Sequence, residues 1–420
     1  MKKYEAYKNS GIEWIGQIPE GWSVVPLKYN LSLKGRIGWN GLKSEEFQEK
    51  SYAYLVTGQD FNSDVVNWEK CYQINKERYD EDPFIQLENG DLLVTKDGTI
   101  GKVAKVVNLD KPACLNSGIF VVKQTKGVFE QNYLYWVLVS NQLKEFVGFN
   151  STGSTIAHLY QNVFENMPLT VPPLTEQKAI ASYLDYKVGQ IDASISAINT
   201  QIDDLKSYRQ SIISEAVTKG LNPDVPMKDS GVEWIGDIPE SWDCLPMKRG
   251  LTINNGKDYK EIQSDEGYPV IGSGGQFAFA TDYLYDGEAV LLGRKGTIDK
   301  PMYINGKFWT VDTMFYAVPS EDVCCKYMYY QAQTIPFGLY STNTALPSMT
   351  QTDLANNPFC FPSLAEQQNI ADYLDCKTAK IDSTISSLEA QRDDLNALKQ
   401  SIISEAVTGK IDVRDWKPNK

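Results

Sequence analysis

The chain has 420 residues, 42% of them hydrophobic and 11% aromatic, which indicates two or three packed domains rather than disorder. Its formal net charge of −13 repels phosphate backbones, so composition alone argues against a nucleic-acid partner. Residues 23–172 nevertheless carry 15 basic and 17 acidic side chains, which leaves room for a local basic face. Because no apolar run of 18 residues and no signal peptide occur, we expect a cytoplasmic protein that does not enter a membrane.

The cysteine and histidine content argues against a bound metal. The chain has one histidine, His158, and no Cys-x-x-Cys pair. The cysteines are Cys71, Cys114, Cys244, Cys324, Cys325, Cys360 and Cys376. Structural zinc sites need clustered Cys or His ligands, so this scatter predicts reduced, mostly buried thiols and no metal site.

Two pairs of similar segments show that the chain is an internal tandem repeat. Residues 10–22, SGIEWIGQIPEGW, return as SGVEWIGDIPESW with ten of thirteen positions identical, at an offset of 220. Residues 176–185, EQKAIASYLD, return as EQQNIADYLD with seven of ten identical, at an offset of 190, and both copies run on to SIISEAVT. The offsets differ by 30, so the repeats share their ends and differ in their middles.

The two middles, residues 23–172 and 243–361, contain short apolar runs separated by glycine, asparagine and other turn residues. This pattern is typical of short strands, with a helix predicted over residues 132–146 and a counterpart near residues 326–333. We therefore predict an α/β (α+β) fold in which each middle is a separate, mainly β domain.

A similar five-residue segment, which we call the echo, occurs in both middles. The sequence Lys-Asp-Gly-Thr-Ile begins at Lys96 in the first, and Arg-Lys-Gly-Thr-Ile begins at Arg294 in the second, each just after an apolar run. Each middle then ends in a loop of small polar residues, at 150–155 and 341–344.

Residues 176–217 and 366–407 each have the apolar spacing of a coiled coil. The seam positions are Leu184, Ile191, Ile198, Leu205 and Ile212 in the first stretch, and Leu374, Ile381, Leu388, Leu395 and Ile402 in the second. A helix of this length reaches roughly 60 Å and is too exposed to stand alone. We expect the two helices to form an antiparallel two-helix coiled coil, related by a pseudo-two-fold axis, that separates the two middle domains.

Helix punctuation suggests where the domains divide. Ser363 and Glu366 have capping-box spacing, Gly220 and Gly409 fit C-terminal caps, and two prolines in residues 221–228 predict a linker. The predicted divisions are an N-terminal repeat segment (1–22), a first middle domain (23–172), a central long helix (173–220), a linker with the second repeat segment (221–242), a second middle domain (243–361), a distal long helix (362–409) and a C-terminal tail (410–420).

No complete catalytic motif is present. None of the Gly-Lys pairs precedes Ser or Thr, so the phosphate-binding loop of NTPases is absent, and His158 has no Gly-x-Ser-x-Gly elbow to serve. The Asn-Asn-Pro-Phe run at 356–359 lacks one proline of the amino-methyltransferase loop, and the glycines at 272–275 lack the acidic residue expected at Rossmann distance. The chain is therefore predicted to bind rather than to catalyse.

Polar loops suit contacts to DNA, because hydroxyl, amide and backbone N–H groups donate to phosphates while Lys, Arg, Asn and Gln read base edges. Turns of any β-rich domain carry similar residues. The candidate DNA contacts are Lys96, Thr99, Ser154 and Thr155 in the first domain, and Arg294, Lys295, Thr297, Asn343 and Thr344 in the second.

The order of the duplicated pieces resembles the specificity subunit of type I restriction-modification enzymes over essentially the whole chain. The pieces are an SGIEWIGQIPEGW-like opening, a variable domain and an EQKAIASYLD-type helix that ends in SIISEAVT, followed by the same cycle again. The resemblance implies that the variable domains are target recognition domains, each reading one half of an asymmetric, split DNA sequence. It also implies that the long helices space these domains.

The resemblance further implies partners for the chain. Double-stranded DNA, two methyltransferase (modification) subunits and restriction/translocase subunits are expected, with S-adenosylmethionine, ATP and Mg²⁺ used by those partners and no cofactor on this chain. An alternative from another class is a protein-interaction scaffold whose two β-rich domains hold peptide or glycan ligands. A third is a self-sufficient methyltransferase.

Overall fold

The chain folds into two compact units. The computed structural model describes residues 2–36, 42–62, 64–150, 158–340 and 347–418. Unit 1 consists of Met1–Ala197 with Gln391–Lys420, and unit 2 is the continuous stretch Ile198–Ala390. The two longest helices, Leu174–Lys219 and Leu364–Val407, each contribute one segment to each unit. Within the described ranges, no helix combines the length and apolar content needed to cross a membrane.

Unit 1 holds a mainly β domain. Its strands are β1 (Tyr7–Asn9), β2 (Gln17–Pro19), β3 (Ser23–Pro26), β4 (Leu31–Lys34), β5 (Ala53–Val56), β6 (Phe61–Asn62), β7 (Val65–Val66), β8 (Tyr72–Ile74), β9 (Leu92–Thr95), β10 (Val103–Lys105), β11 (Ala113–Leu115), β12 (Ile119–Gln124) and β13 (Pro168–Val171). Its helices are α1 (Lys76–Asp80), α2 (Gln131–Val139), α3 (Asn141–Asn150), α4 (Gln161–Phe164) and the start of α5 (Leu174–Lys219). One sheet has the order β4-β12-β9-β10-β7-β6 and another has the order β11-β5-β8, while β1–β2 and β3–β13 form ribbons.

The six-stranded sheet of unit 1 is buried on both faces. Successive side chains of a strand point to opposite faces, and β9 follows this rule. Leu92 and Val94 join Phe120 in the cluster that contains α2 and the long helices. Leu93 joins Val121 in the cluster that contains the three-stranded sheet. The run of apolar residues in β9 is thus explained by burial on two sides.

The helix predicted over residues 132–146 is interrupted. Ser140 has an extended backbone and separates α2 from α3. Its hydroxyl donates to the carbonyl of Val137 (2.6 Å) and accepts from the backbone N–H of Gln142 (3.2 Å). A serine hydroxyl competes for backbone bonds and caps a new helix well, so one side chain ends α2 and starts α3.

Unit 2 contains one larger sheet. Its strands are β14 (Met227–Asp229), β15 (Asp237–Pro239), β16 (Asp243–Pro246), β17 (Leu251–Asn255), β18 (Gln263–Ser264), β19 (Tyr268–Gly272), β20 (Gly275–Ala280), β21 (Tyr285–Gly293), β22 (Met302–Thr310), β23 (Met314–Pro319) and β24 (Pro358–Phe361). Its helices are α6 (Cys325–Ala332), α7 (Phe337–Tyr340), α8 (Gln351–Asn356) and the start of α9 (Leu364–Val407). Seven strands have the order β17-β23-β21-β22-β19-β20-β18, and β14–β15 and β16–β24 form ribbons.

The centre of the unit 2 sheet is also buried on both faces, whereas β18 and β20 at one side are largely exposed. Val290 and Leu292 of β21 face the cluster that contains α6 and the long helices, whereas Ala289 and Leu291 face a second cluster with Phe308. The described residues thus confirm the predicted α/β (α+β) class, with one mainly β domain in each unit.

The long helices pair in both units. In unit 1 the start of α5 packs on the end of α9, and Asp192 accepts from Lys399 (Oδ1–Nζ, 2.6 Å). In unit 2 the end of α5 packs on the start of α9, and Arg209 donates to Asp382 (Nε–Oδ1, 2.9 Å). This pairing of opposite helix ends is the antiparallel arrangement.

All ten seam positions lie in apolar clusters. The first cluster holds Leu184, Ile191, Leu395 and Ile402. The second holds Leu374 and also contacts Ile212. A small third cluster holds Ile381 and contacts Ile198, Leu205, Ile212 and Leu388. Ile198, Leu205 and Leu388 are only half-buried.

A tryptophan closes the end of a long helix in each unit. Gly409 follows α9 with a φ of +70°, and a Cβ there would stand 3.2 Å from the Trp22 ring. Gly220 follows α5 with a φ of +76°, and a Cβ there would also stand 3.2 Å from the Trp242 ring. Each SG-x-EWIG segment therefore packs on the helix that ends the other repeat.

Candidate nucleic-acid interface

The first candidate turn joins β9 to β10 in unit 1. The buried Thr95 hydroxyl donates to the carbonyl of Thr99 (2.5 Å) and accepts from the backbone N–H of Lys102 (3.0 Å). Gly98 occupies the left-handed region with a φ of +67°, which lets the chain reverse without a clash. Thr99 is exposed at the tip, so its hydroxyl is open to a ligand.

Lys96 is fixed at the base of this turn. Its backbone N–H donates to Gly118 (2.9 Å) and its carbonyl accepts from Leu159 (2.9 Å). Its Nζ lies 4.9 Å from the centroid of the Phe120 ring, a cation–π distance. Burial lowers the pKa of the Lys96 ammonium, with the Asp97 carboxylate acting in the opposite direction. The side chain is half-buried, which limits the directions in which it can reach a phosphate.

An acidic and a histidine side chain flank Lys96. Asp97 contacts the Nδ1 atom of His158, and the two backbones form an isolated antiparallel bridge. The His158 ring stacks edge-on against Tyr160 at a centroid distance of 4.5 Å. These contacts connect the turn at Asp97 to residues 158–160.

The second candidate turn follows β21 in unit 2. The backbone N–H of Arg294 donates to Thr313 (2.8 Å), and the Arg294 carbonyl accepts from Met349 (3.0 Å). The guanidinium lies 5.8 Å from the Phe315 centroid and donates to the Asp312 carbonyl (3.4 Å). Arg294 is therefore positioned by both its backbone and its side chain.

The residues after Arg294 are more accessible than the arginine. Lys295 is exposed, and its backbone forms an isolated bridge with Ser348. Thr297 is half-buried. A Cβ on Gly293 would stand 2.4 Å from the Thr297 carbonyl, so only glycine lets the turn fold this closely. An open cleft of about 300 Å³ is lined by Asn255, Arg294, Lys295, Phe315, Ser348, Met349, Thr350 and Gln351.

The two turns correspond position by position. In each turn, a basic residue follows a central strand and lies over a phenylalanine of the neighbouring strand. Its backbone carbonyl accepts a hydrogen bond from the N–H of a residue that shortly precedes a short helix. A glycine with positive φ stands two positions later, Gly98 in one case and Gly296 in the other. The echo seen in the sequence therefore marks one structural feature present in both domains.

Four candidate contacts lie outside the described residues: Ser154, Thr155, Asn343 and Thr344. In the sequence, these residues shortly precede the segments that bond to Lys96 and Arg294, which begin at His158 and Pro347. Of the remaining candidates, the structure brings Lys96 and Thr99 together in one turn, and Arg294, Lys295 and Thr297 together in the other.

Two glutamines that sequence reasoning missed hold these segments in place. Gln161 donates to the Leu33 carbonyl of β4 (3.1 Å), and Gln351 donates to the Ile253 carbonyl of β17 (2.8 Å). Each glutamine starts a short helix just after the segment that bonds to the basic residue. Aligning the ends of the two polar loops would have shown glutamine at the same position in both.

Each domain is attached to a long helix by a buried tyrosine and a glutamine. The Tyr133 hydroxyl donates to the Thr170 carbonyl (3.0 Å), and the Tyr327 hydroxyl donates to the Cys360 carbonyl (3.1 Å). Gln177 of α5 accepts from the backbone of Glu130 (2.8 Å), and Gln367 of α9 accepts from the backbone N–H of Cys324 (2.9 Å). Burial is the main cause that raises the pKa of both tyrosines.

The described part of the chain contains no group of three or more His, Cys, Asp or Glu side chains that could hold a metal ion. Lys96 and Thr99 at the first turn, and Arg294, Lys295 and Thr297 at the second, supply cations and hydroxyl groups, with the Asp97 carboxylate beside the first turn. The cations and hydroxyl groups suit an anionic or hydrogen-bond-accepting ligand.

Comparison with known proteins assigns the family. The type I restriction modification DNA specificity domain matches residues 38–204 and 235–393. The type I restriction enzyme MjaVIII specificity subunit of Methanocaldococcus jannaschii is 25% identical, over 95% of this chain and 95% of its own length. The EcoKI specificity subunit of Escherichia coli K12 is 20% identical, over 96% of this chain and 91% of its own length.

A solved structure shares the fold. A chain from work on complex assembly and conformational transition of the type I R-M system superposes with a TM-score of 0.69 at 16% identity, covering 94% of this chain and 99% of that chain. The family match covers more than half of the sequence and falls in both repeats. The resemblance predicted from the order of the duplicated pieces is confirmed. The chain belongs to the family of type I restriction-modification specificity subunits, which are non-catalytic.

Proposed function

We propose that this chain binds double-stranded DNA in a sequence-specific way and supplies the target choice of a type I restriction-modification complex. Each mainly β domain reads one half of a bipartite target. The observation that carries the proposal is the pair of corresponding turns, which place Lys96 in one domain and Arg294 in the other over a phenylalanine ring. A cation held in this way needs little further ordering to meet a phosphate or a guanine edge.

The two half-sites differ under this proposal. The turns correspond, but their neighbours do not: Asp97 and His158 flank Lys96, whereas Lys295 and Ser348 flank Arg294. The sheets behind the turns also differ in strand number and order. Base readout depends on the donors and acceptors that surround the positioning contacts, so two unlike surfaces read two unlike sequences.

The chain works with partners that supply the chemistry. We propose that two modification subunits and the restriction/translocase subunits dock on it, and that S-adenosylmethionine, ATP and Mg²⁺ are used by those partners. The net charge of −13 is compatible with DNA binding if partner subunits share the contacts to the phosphate backbone.

A binding experiment on the assembled complex tests the proposal. The chain is co-expressed with its modification subunits, purified and incubated with a library of random duplexes, and the bound DNA is sequenced. Enrichment of one split, asymmetric motif is expected. A complex that forms but enriches no motif contradicts the proposal and leaves the alternative of a scaffold for peptide or glycan ligands.

Charge-removal variants test the two turns. Lys96→Met and Arg294→Met keep an apolar stem over the phenylalanine and remove the charge. Each is expected to weaken DNA binding and to reduce the salt slope of the binding constant by about 1. Lys28→Ala and Lys248→Ala are matched controls, because these lysines hold corresponding positions in the two repeats and donate to Asn166 and Asn356 rather than lying over a phenylalanine of the turns. Unchanged affinity and slope in both methionine variants would show that the turns do not touch DNA.

The long helices are proposed to set the distance between half-sites. One heptad inserted into α5 after Ala197 and another into α9 after Ala390 keep the seam in register. The added length of about 10 Å corresponds to roughly three base pairs. The expected result is a recognised motif with a longer unread spacer, and an unchanged spacer would exclude the helices as the ruler.

A further inference from the structure

Two cysteines face each other where the second domain joins its long helix. Cys244 of β16 and Cys360 of β24 are direct partners in an antiparallel ribbon. β16 is the strand by which the chain enters the domain, and β24 is the strand by which it leaves for α9. We call this β16–β24 ribbon the neck of unit 2.

Backbone bonding shows which kind of pair the two cysteines form. Opposite residues in an antiparallel ribbon alternate between hydrogen-bonded and non-hydrogen-bonded pairs. Pro246 stands opposite Pro358, and neither has an N–H, so this pair is non-hydrogen-bonded. One step further, Met247 donates to the Asn357 carbonyl (2.8 Å), as the alternation requires. Two steps in the other direction, Cys244 and Cys360 are again a non-hydrogen-bonded pair.

The backbone of Cys360 is bonded elsewhere, as the alternation predicts. Its N–H donates to the Gln331 side chain (2.8 Å), and its carbonyl accepts from the Gln331 amide and from the Tyr327 hydroxyl. Residues of a non-hydrogen-bonded pair have Cα atoms about 4.5 Å apart, inside the range that a disulfide spans. The register of the ribbon therefore places the two cysteines within disulfide range.

The two thiols differ in exposure, and one of them is accessible. Cys360 is fully buried, while Cys244 is half-buried and open to a reagent. A hydrogen bond between the two side chains lowers the pKa of Cys244 and raises the pKa of Cys360. This polarity makes Cys244 the attacking thiolate and Cys360 the resolving thiol.

We propose that Cys244 and Cys360 are a modification site, which a small-molecule disulfide oxidises to a reversible cross-strand disulfide. The Cys244 thiolate attacks the oxidant and releases one thiolate, which leaves a mixed disulfide. The Cys360 thiol loses its proton and attacks the Cys244 sulfur, which releases the second thiolate. Two protein thiols are oxidised and one oxidant disulfide is reduced.

The disulfide would close the neck covalently and tie the ends of the whole second domain together. In unit 1, the corresponding β3–β13 ribbon has Val24 opposite Thr170 at the matching positions. It has no cysteine pair there and cannot form this disulfide. The oxidation would therefore act on one of the two recognition domains only. The inference is about the neck and does not depend on the proposed function.

To test the proposal, the reduced full chain is titrated with increasing amounts of oxidised glutathione. A Cys376→Ser background removes the exposed cysteine. The expected product is a single cross-linked peptide pair containing Cys244 and Cys360, lost again on adding dithiothreitol. The melting temperature of unit 2 is expected to rise by roughly 5–10 °C in the oxidised form. Only glutathione on Cys244, or no product at all, would falsify the assignment.

The matched control copies the residues found in unit 1. Cys244→Val with Cys360→Thr should fold, because Val24 and Thr170 already occupy an equivalent ribbon. This variant is expected to melt at the same temperature under both redox conditions. A redox-dependent shift that persists in it would assign the effect to other cysteines and overturn the proposal. Because these measurements need no DNA, their failure is separate from a failure of the proposed function.

Discussion

Tyr183 in unit 1 and Tyr373 in unit 2 occupy the same position of the two repeats, yet only Tyr183 is covered. Tyr183 is 4% exposed, because Trp416 of the C-terminal tail stacks on it (centroids 5.3 Å apart) and on Tyr186 (5.4 Å). Tyr373 is 37% exposed and lines an open cleft of about 440 Å³ with Leu221 and other residues that follow α5. The repeated sequence builds the same helical frame twice, and the segment after each helix decides how that frame is covered.

A second difference lies at the tryptophan that closes each helix. In unit 2 the indole N–H of Trp242 donates to the Glu366 carboxylate (3.1 Å). In unit 1 the matching Glu176 accepts from the Tyr4 hydroxyl instead, and the Trp22 indole N–H has no partner among the described residues. The matching segment of unit 2, which contains β14, has Asp224 at the position of Tyr4 and so offers no tyrosine hydroxyl there. Identical residues at matching positions thus make different bonds.

The largest expected difference between the units concerns the glycines after α5 and α9. Both have positive φ, so alanine costs about 1 kcal/mol at either site from backbone strain alone. A Cβ at Gly409 would also stand 2.3 Å from Pro19, whereas at Gly220 the nearest atom is 3.2 Å away. We expect Gly409→Ala to cost about 2–4 kcal/mol and Gly220→Ala about 1–2 kcal/mol in chemical denaturation. Equal costs would contradict the difference in packing.

The tail that covers Tyr183 provides the next test. Trp416→Ala removes a half-buried aromatic ring from two tyrosines and is expected to lower the stability of unit 1 by about 2 kcal/mol. Faster hydrogen exchange should follow at the start of α5. Tyr208→Ala is the control, since Tyr208 is an exposed aromatic on the same helix. If Trp416→Ala exchanges like this control, the tail does not protect α5.

The indole bonds predict a smaller difference. Trp242→Phe keeps an aromatic ring but removes the donor to Glu366, whereas Trp22→Phe removes no protein hydrogen bond seen in the described residues. The first substitution should therefore cost about 1 kcal/mol more than the second. Adding Glu366→Gln to Trp242→Phe should recover part of the loss, because it removes the charge of a half-buried carboxylate that has lost its indole donor. Equal losses of stability for the two substitutions would show that the Trp242–Glu366 hydrogen bond does not contribute measurably to stability.

The smallest expected effect concerns the charges beside the two basic turns. Lys295 is exposed next to Arg294, while Asp97 stands next to Lys96. If the second turn meets phosphate more strongly, Lys295→Ala should reduce the salt slope of DNA binding by about 1, with a several-fold loss of affinity. Asp97→Asn should leave the slope the same or raise it. The reverse pattern, measured in the assembled complex, would place the stronger electrostatic contact in the first domain.

Much of the fold follows from periodicity and punctuation. The seven-residue apolar spacing identified the long helices, and the structure ends them at Lys219 and Val407, just before or near the glycines with positive φ. The short apolar runs identified the strands, because residues such as Leu92 to Val94 are buried on both faces of a sheet. These signals are local, and each residue's neighbours in sequence are enough to produce them.

The remaining features depend on which segments meet. Residues 10–22 and 230–242 are nearly identical, and so are the two helix ends. The local sequence therefore does not reveal that Trp22 packs beside Gly409 rather than beside Gly220. The interruption at Ser140 depends on one hydroxyl that a helical pattern does not reveal. Gln161 and Gln351 act through carbonyls on distant strands. Pairing across the chain, rather than local preference, decides these contacts.

The composition of unit 1 has a consequence for synthesis on the ribosome. Residues 391–418 supply the end of α9 and the tail, so unit 1 stays incomplete until almost the whole chain has emerged, whereas the continuous unit 2 is available earlier. Translation of residues 198–390 takes roughly 10 to 40 seconds at bacterial speeds. During this interval the apolar face of Leu184, Val188 and Ile191 has no helix to cover it. The first domain to be made is thus the last to be finished.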